Sequence, residues 1–360
     1  MPGRSERVRG AVVAHVQTWR PYTTCYPLLL GLAGAVWAGG SGAGTLLVAA
    51  GAPALGWLSG HYLGDWMDRG LDAIGKPQRP IPSGRLSSDA ALTSGIVCAA
   101  ASAVLAVGAN WRILPLFLLA MAGIVGYSRV FKKRGLSGNV ARGVLTALAI
   151  VIGAMVARPL PPWSLLPVAA GFLLHDTSTN LVGTVRDVDG DRAGGYRSVP
   201  VRRGVRHAVR LALGLYVTGL ALLASAAAGT PGGPGGPGGS GGSGGPGGSG
   251  GSGGPGGYGG YGGYGAFLGL AAVIGAISFV PLLRSGTAID APSALRAHEV
   301  LVAERLVLAA AVLAGGRGPG TAAAVVVPVL LFSLVTQKLM RSGHEFPPAP
   351  GALLRKDSVA

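Results

Sequence analysis

Ten apolar stretches, each about as long as a membrane-spanning helix, recur along this sequence. A helix needs roughly 20 apolar residues to cross the hydrocarbon core of a bilayer. A membrane barrel would instead show alternating segments of about ten residues, and irregular backbone is not tolerated in lipid. The sequence therefore predicts an all-α fold, a polytopic transmembrane helical bundle. The stretches lie near 22–39, 43–64, 90–108, 112–128, 140–157, 163–183, 206–228, 265–283, 297–314 and 321–339.

The overall composition agrees with a membrane location. Hydrophobic residues make up 49% of the chain and charged residues only 12%, whereas about a quarter of the residues in a soluble domain are charged. The two cysteines, Cys25 and Cys98, lie inside apolar stretches without the spacing of a disulfide framework or a zinc site. We interpret them as packing residues.

The predicted organisation is one membrane domain interrupted by a linker. Residues 1–20 are predicted to be a cytoplasmic leader, and residues 21–229 form a core that carries both acidic motifs described below. Residues 230–264 consist almost entirely of Gly, Pro and Ser with three tyrosines, so they predict a disordered tether without a specific function. Residues 265–340 return to the same domain, and residues 341–360 are predicted to be a cytoplasmic tail.

Basic residues are concentrated in every second connection between the apolar stretches. By the positive-inside rule these connections face the cytoplasm, and the net charge of +16 is mainly a topology signal. Because the basic residues are dispersed among apolar stretches, nucleic-acid binding is not expected. The basic segments are 1–20, 65–89, 129–139, 184–206, 284–296 and 340–360.

The first acidic cluster follows directly on the second apolar stretch. Asp65, Asp68 and Asp72 share one helical face if the helix continues, because they are spaced at i, i+3 and i+7. Carboxylates this close need a counter-ion, and Mg²⁺ prefers carboxylates, water and phosphate oxygens. Lys76 and Arg79 follow among prolines that end the helix. Both can bind a phosphate directly.

A second cluster repeats this arrangement after the sixth apolar stretch. Asp176, Asn180, Asp187 and Asp191 are spaced so that one continuous helix would place them in a single stripe. A basic segment that begins with Arg192 follows. Either cluster alone is also compatible with a solvated loop of neutralised charge, but together they predict a clamp in which carboxylates hold Mg²⁺ ions and the metals bind a diphosphate.

Both clusters, and the segment between them, resemble the UbiA superfamily of intramembrane prenyltransferases. GDWMDRGLD with the following KPQRPIPSG is similar to the family's NxxxDxxxD and KPxRPxxSG, and RDVDGD is similar to its DxxxD motif. YSRVFKKRGLSGN is similar to the family's Tyr-Ser, Lys-Arg and Gly-Asn segment. The resemblance covers about residues 20 to 315 apart from the glycine-rich insertion. It implies nine helices around a cavity, and it leaves the stretch at 321–339 as a possible tenth helix.

The resemblance also implies roles for individual residues. Gly64 stands where the family has Asn. Either Asp65 or Asn180 compensates for the missing amide, or the metal affinity is lower, or the substrate differs; of these we favour compensation. The implied Mg²⁺ ligands are Asp68, Asp72, Asp187 and Asp191. Further implied catalytic residues are Lys76, Arg79, Tyr127 and Lys132 (or Lys133), with Asn139 nearby. Additional binding residues are Asp65, Asn180 and Arg192.

The implied function is transfer of a prenyl group from a prenyl diphosphate, with Mg²⁺-assisted loss of pyrophosphate, to an aromatic or other small lipophilic acceptor. The enzyme would lie among the lipids of the cell membrane with its active site on the cytoplasmic side. The residues expected to line the cavity are Tyr62, Trp66, Met67, Tyr127 and His175, although ordinary helix packing explains each of them better individually.

Two alternatives stay open at this point. A terpene cyclase of the same superfamily would ionise a prenyl diphosphate without a separate acceptor. A transporter with intramembrane acids would require inverted repeats, but the two acidic clusters recur in the same orientation four stretches apart, which favours a parallel duplication. The sequence identifies neither the acceptor nor the length of the prenyl chain.

Overall fold

The computed structural model describes residues 4–227, 259–286 and 288–345, and nearly all of them are helical. Each of the ten apolar stretches forms a helix, as predicted. The helices are α1 (Arg4–Trp19), α2 (Pro21–Trp37), α3 (Ala43–Gly75), α4 (Ser88–Ala109), α5 (Leu114–Gly126), α6 (Ser137–Ala157), α7 (Leu165–Arg186), α8 (Val188–Ala193), α9 (Val199–Arg203), α10 (Val205–Ala226), α11 (Gly259–Ser285), α12 (Ala291–Arg317) and α13 (Pro319–Glu345).

Within the described ranges, seven helical segments are long and apolar enough to cross a membrane. They comprise α3, α4, α5 with its flanking turns, α6, α10, α11 and α13. The other three expected spans, α2, α7 and α12, form the centre of the bundle. Both α7 and α12 carry buried polar residues, and such residues at membrane depth face the interior of a bundle rather than lipid.

The central helices approach one another closely at small residues. A Cβ atom on Gly153 of α6 would lie 2.1 Å from the carbonyl oxygen of Gly31 on α2, so only glycine permits this backbone contact. Small residues allow such close approach of membrane helices, which are held together by packing. The core around this contact includes Leu30, Ile150 and Phe172, all fully buried.

Two buried polar groups on α12 hold it against its neighbours. Glu304 accepts a hydrogen bond from Tyr216 Oη at 3.0 Å and lies 2.8 Å from His175 Nε2. The next residue, Arg305, forms an ion pair with Asp176 at 3.2 Å. Because an unpaired charge in this environment is costly, these pairs fix the position of α12 against α7 and α10.

The predicted leader is a helix that packs on the bundle. In α1, Trp19 Nε1 donates a hydrogen bond to Tyr62 Oη at 2.6 Å, and His15 Nδ1 lies 2.5 Å from the same oxygen. Tyr62 is therefore a packing residue that links α1 to α3.

Both predicted boundaries of the C-terminal part need correction. Helix α11 begins at Gly259, so residues 259–264 of the predicted tether are helical, and buried Tyr264 donates a hydrogen bond to Leu223 O at 2.6 Å. Helix α13 continues to Glu345, so residues 341–345 of the predicted tail belong to the bundle. The remaining parts of these two segments, 228–258 and 346–360, lie outside the described residues.

Two connections, 132–136 before α6 and 194–198 between α8 and α9, meet at the end of the bundle where α3 ends, and we call them the first and the second cap segment. A π-helical turn, Tyr127–Phe131, leads from α5 into the first segment. Its residues Arg134–Gly135 pair in parallel with Arg197–Ser198 of the second segment, which follows α8. In the described part of the chain, this two-residue ladder is the part of the secondary structure that is not helical, and the fold is otherwise all-α as predicted.

Candidate active site

A cavity of about 490 Å³ opens at this end of the bundle, and both acidic clusters contribute to its wall. Helices α2 to α7, α12 and α13 all contribute to its wall, and residues of the cap segments line it as well. A cavity of this size falls in the range typical of small-molecule sites. The fold thus brings together the two sequence regions that were predicted to face each other.

The first acidic cluster has the predicted arrangement. Helix α3 continues without interruption to Gly75, and Asp65, Asp68 and Asp72 all line the cavity from one face. The helix ends before Pro77, and the chain turns so that Lys76 and Arg79 line the same cavity. This agrees with the helix-ending effect expected of the prolines.

The second cluster differs from the predicted single stripe. Helix α7 ends at Arg186, and Asp187 is the junction residue before the short helix α8. Asp187 and Asp191 line the cavity, as does Asn180. Asp176 is instead fully buried behind the cavity wall, where it pairs with Arg305. The continuous helical stripe was wrong because the chain breaks at Asp187, and Asp176 has a structural partner of its own.

The acids of the cavity are paired with basic side chains. Lys132 Nζ lies 2.8 Å from Asp68 Oδ2, and Arg79 Nη1 lies 2.7 Å from Asp72 Oδ2. Burial opposes the charge of Arg79, but Asp65 and Asp72 raise its pKa above the usual value. Each of these pairs combines one group that can bind a metal with one that can bind a phosphate.

The pair at the second cluster follows the same pattern. Arg186 Nη2 lies 2.6 Å from Asp187 Oδ2. Burial acts to raise the pKa of Asp187, but Arg186 and Lys76 hold it below the ordinary value. The pKa of Asp191 is raised, mainly by burial. Asp187 is therefore charged and available as a ligand at neutral pH.

The donor set suits a hard cation. Within the described ranges, no three side chains of His, Cys, Asp or Glu are grouped closely enough to hold a metal as they stand. The four predicted ligands nevertheless face one cavity, all of them are carboxylates, and the buried Oδ2 of Asp65 has no hydrogen-bond partner among the described residues. Such oxygen-only donors fit Mg²⁺ together with a diphosphate.

Three further predicted residues lie at the cavity. Tyr127 and Asn139 both line it, and Asn139 is buried. Gly64 lines it too, and a Cβ atom at this position would meet only Ser128 Oγ at 3.9 Å. The wall therefore has room for a side chain at position 64.

Other predicted residues are not brought to the cavity. Arg192 is exposed and pairs with Asp189, which is also exposed, at 3.2 Å. It does not line the cavity because α8 directs it to the surface. Trp66 and Met67 line a neighbouring second pocket, which also includes Lys133.

His175 is likewise a packing residue. It is fully buried against Glu304 and does not line the cavity.

Asn180 does line the cavity, but its Nδ2 donates to both the carbonyl oxygen and Oδ2 of Asp176, at 2.7 and 3.0 Å. Its amide nitrogen is thus engaged within α7.

Glu345, from the last turn of α13, also enters the cavity. Its Oε2 accepts a hydrogen bond from Lys76 Nζ at 2.8 Å, and its Oε1 lies 3.2 Å from Arg186 Nη1. Burial acts to raise the pKa of Glu345, but Arg186, Lys76 and Arg79 hold it well below the ordinary value. This carboxylate therefore pairs with the same Lys and Arg side chains that surround the acidic clusters.

Several cavity residues were missed from the sequence. Arg142 follows Asn139 by three positions on α6, so helical periodicity could have placed it on the same face. No local pattern indicates Glu345, because only the packing of α13 brings it to the site. The missed residues that line the cavity include Arg20, His61, Arg142, Arg186, Arg305 and Glu345.

Comparison with known proteins identifies the same family that the sequence motifs resemble. The model of the UbiA prenyltransferase family matches residues 25–242. A digeranylgeranylglyceryl phosphate synthase from Natronomonas pharaonis is 32% identical over 224 residues, which cover 61% of this chain and 77% of that protein.

Solved structures share the fold. A UbiA homolog from Aeropyrum pernix K1 superposes with a TM-score of 0.61 at 16% identity, covering 80% of this chain and 96% of that one. A UbiA homolog from Archaeoglobus fulgidus, solved with GPP and Mg²⁺ bound, gives a TM-score of 0.51 at 17% identity and covers 59% of this chain and 77% of that one.

Proposed function

The chain belongs to the UbiA prenyltransferase family, and from this membership we propose that it transfers a prenyl group from a prenyl diphosphate to the hydroxyl of a lipid glyceryl phosphate. It is a multi-pass membrane enzyme and depends on Mg²⁺. The observation that carries the proposal is the single cavity in which both acidic clusters meet Lys76, Arg79 and Lys132. The name of the Natronomonas relative supports a glyceryl phosphate acceptor rather than an aromatic one.

The donor binds at the acidic end of the cavity. Asp68, Asp72, Asp187 and Asp191 would hold Mg²⁺, which, when bound, offsets the charge of the diphosphate and stabilises the leaving group. Lys132 and Arg79 now pair with Asp68 and Asp72, so they are already placed beside the ligands. A bound diphosphate becomes the second partner of these cations and is oriented by them.

The prenyl chain lies in the apolar part of the same cavity. Phe117, Ile124, Leu148 and Ile152 line this part. Their surface excludes water from the allylic carbon, which becomes positively charged as the C–O bond to the diphosphate breaks. Water exclusion also strengthens the electrostatic contacts at the leaving group.

The acceptor oxygen then forms a bond to the allylic carbon and loses its proton. His61 lines the cavity, and its Nδ1 lies 3.0 Å from Trp19 O. A carbonyl oxygen only accepts, so Nδ1 carries the hydrogen and Nε2 is an acceptor. Nε2 lies 3.3 Å from Thr23 Oγ1, whose hydroxyl donates to Arg20 O at 2.9 Å. We assign Nε2 of His61 as the group that receives the proton, while the pyrophosphate leaves with the electron pair of the broken bond.

The test is product formation in membranes that contain the protein. They are incubated with Mg²⁺, prenyl diphosphates of several lengths, and either a prenylated glyceryl phosphate, aromatic acids or no acceptor, and the extract is analysed by mass spectrometry. A doubly prenylated glyceryl phosphate supports the proposal. Prenylated aromatic acids alone would overturn the acceptor assignment, and cyclised products without an acceptor would favour the cyclase alternative.

We further propose that the acidic end of the cavity faces the cytoplasm. The basic segments 65–89, 129–139 and 184–206 all contribute to this end, and positively charged connections remain on the cytoplasmic side during membrane insertion. Soluble Mg²⁺ and prenyl diphosphate would then reach the site without crossing the bilayer.

A further inference from the structure

The basic side chains that line the cavity differ in whether a nearby carboxylate neutralises their charge. Eight Lys and Arg side chains line it, and seven of them have a carboxylate within 4.0 Å. In the described part of the chain the exception is Arg142. The pairs are Arg20 with Asp65, Lys76 with Glu345, Arg79 with Asp72, Lys132 with Asp68, Arg186 with Asp187, Arg305 with Asp176, and Arg341 with Glu299.

Arg142 is held in place by two aromatic rings instead. Its guanidinium carbon lies 4.9 Å from the ring centre of Trp57 and 5.6 Å from that of Tyr127. Cation–π contacts of this kind orient a guanidinium but do not neutralise it. Its buried Nε also has no hydrogen-bond partner among the described residues.

This arrangement leaves a positive charge and a free donor inside a membrane bundle. Charged groups at this depth are costly, and they usually pair with another group or serve a ligand. Trp57 precedes Asp68 by eleven positions on α3, a distance of about 16 Å along the helix axis. Tyr127, by contrast, belongs to the π-helical turn at the cap end, so the Arg142 guanidinium lies between the level of Trp57 and that of Tyr127.

We propose that Arg142, supported by Trp57, binds the anionic group of the acceptor. This inference rests on the proposed function, because the donor diphosphate already has its own cations at the acidic clusters. A guanidinium binds a phosphate or a carboxylate with two parallel hydrogen bonds. Binding the acceptor by its anionic end orients its hydroxyl toward the allylic carbon, which lies between Arg142 and the acids.

Among anionic acceptors, the proposal favours a phosphate monoester on a lipid glycerol. Its dianion neutralises the charge of the guanidinium, and its prenyl substituent packs against the apolar wall of the cavity. An aromatic carboxylate shares the anionic chemistry, so both must be compared. Their uncharged analogues, in which a hydroxyl replaces the phosphate or an amide replaces the carboxylate, isolate the contribution of the charge.

The experiment compares the purified full chain with Arg142→Gln, Arg142→Lys and Arg112→Gln. Arg112 is the matched control, because it also stacks on a tryptophan, Trp111 at 5.0 Å, but is exposed outside the cavity. Two quantities are measured: KM for each substrate, and equilibrium binding of each acceptor followed by tryptophan fluorescence. Thermal unfolding checks that the variants fold.

For Arg142→Gln we expect KM and Kd of the glyceryl phosphate to rise by roughly tenfold or more, as expected for a lost charged hydrogen bond. KM of the prenyl diphosphate stays within about twofold. Binding of the uncharged analogue is unaffected, Arg142→Lys is intermediate, and Arg112→Gln matches the wild type.

Equal loss of binding for the charged and uncharged acceptors would overturn the proposal, as would a rise in KM for the prenyl diphosphate alone. If the wild type binds no anionic acceptor, Arg142 has no such role. If the wild type binds the glyceryl phosphate through Arg142 but yields no prenylated product, the proposed function fails while the binding assignment holds. If the aromatic carboxylate alone depends on Arg142, the phosphate assignment is wrong.

Discussion

Glu345, the last residue of α13, accepts a hydrogen bond at 2.8 Å from Lys76, the residue that follows α3. The two residues are 269 positions apart, and the contact exists because α13 reaches the acidic end of the cavity. Arg186 lies 3.2 Å from the same carboxylate. A helix outside the nine-helix plan thus supplies an anion to cations expected to bind the donor diphosphate.

Removal of this charge should strengthen donor binding. If the diphosphate binds Lys76 and Arg186 as proposed, Glu345 competes with it for these cations. We therefore expect Glu345→Gln to lower KM for the prenyl diphosphate several-fold and to leave kcat within about twofold. Glu299→Gln is the control, since Glu299 lies 4.0 Å from Arg341 and does not contact Lys76. An unchanged or higher KM in Glu345→Gln would show that the carboxylate positions Lys76 rather than competing for it.

Loss of a metal-binding carboxylate should abolish most turnover. Asp72→Asn and Asp187→Asn keep the size of the side chain but remove the charge, and a loss on the order of a hundredfold or more is typical when preorganised electrostatic stabilisation is removed. Release of pyrophosphate is the measurement. Asp189→Asn is the control, because Asp189 lies two positions from Asp187 but is 91% exposed. Wild-type rates in Asp72→Asn and Asp187→Asn would contradict the assignment.

Restoring the family's amide at position 64 should improve metal binding. A side chain fits there, since a Cβ atom meets only Ser128 Oγ at 3.9 Å, and the amide oxygen can bind the metal or its water. We expect Gly64→Asn to lower the Mg²⁺ concentration for half-maximal turnover. Gly70→Asn, at an exposed position of α3 with open space, serves as the control. If the Mg²⁺ dependence and the products are both unchanged, position 64 lies outside the metal site.

The orientation in the membrane can be tested by labelling. Ser83 lies at the acidic end of the bundle and is exposed, and Trp163, between α6 and α7 at the other end, is 85% exposed. With Cys25 and Cys98 replaced by Ala, single cysteines at these two positions should react with an impermeant reagent from opposite sides, Ser83→Cys from the cytoplasm. Reaction of Ser83→Cys from the outside would invert the proposed topology.

The sequence predicted the parts of the site that depend on local periodicity. Asp65, Asp68 and Asp72 lie on one uninterrupted helix, so their spacing alone determined their common face. The same argument failed for Asp176, which lies on the unbroken part of α7 but is held inside the bundle by Arg305, a partner from a distant helix. Glu345 could not be predicted, since its place depends on how α13 packs against the whole bundle.

The buried charges were also difficult to interpret from sequence. Glu304 and Arg305 lie next to each other in an apolar part of α12, and their different roles follow only from their partners. Glu304 contacts His175 and Tyr216, whereas Arg305 pairs with Asp176 and lines the cavity. Which of two adjacent charged residues reaches a cavity depends on the packing of the neighbouring helices.

In the proposed reaction, the hydroxyl oxygen of a glyceryl phosphate attacks the prenyl carbon. The most direct measurement uses a prenylated glyceryl phosphate whose free hydroxyl carries ¹⁸O, incubated with prenyl diphosphate, Mg²⁺ and the enzyme, followed by mass spectrometry of the product. We expect a product that contains the added prenyl group and retains the ¹⁸O, and that is not formed when Mg²⁺ is chelated. A prenyl alcohol or a cyclised hydrocarbon, with the labelled acceptor recovered unchanged, would contradict it.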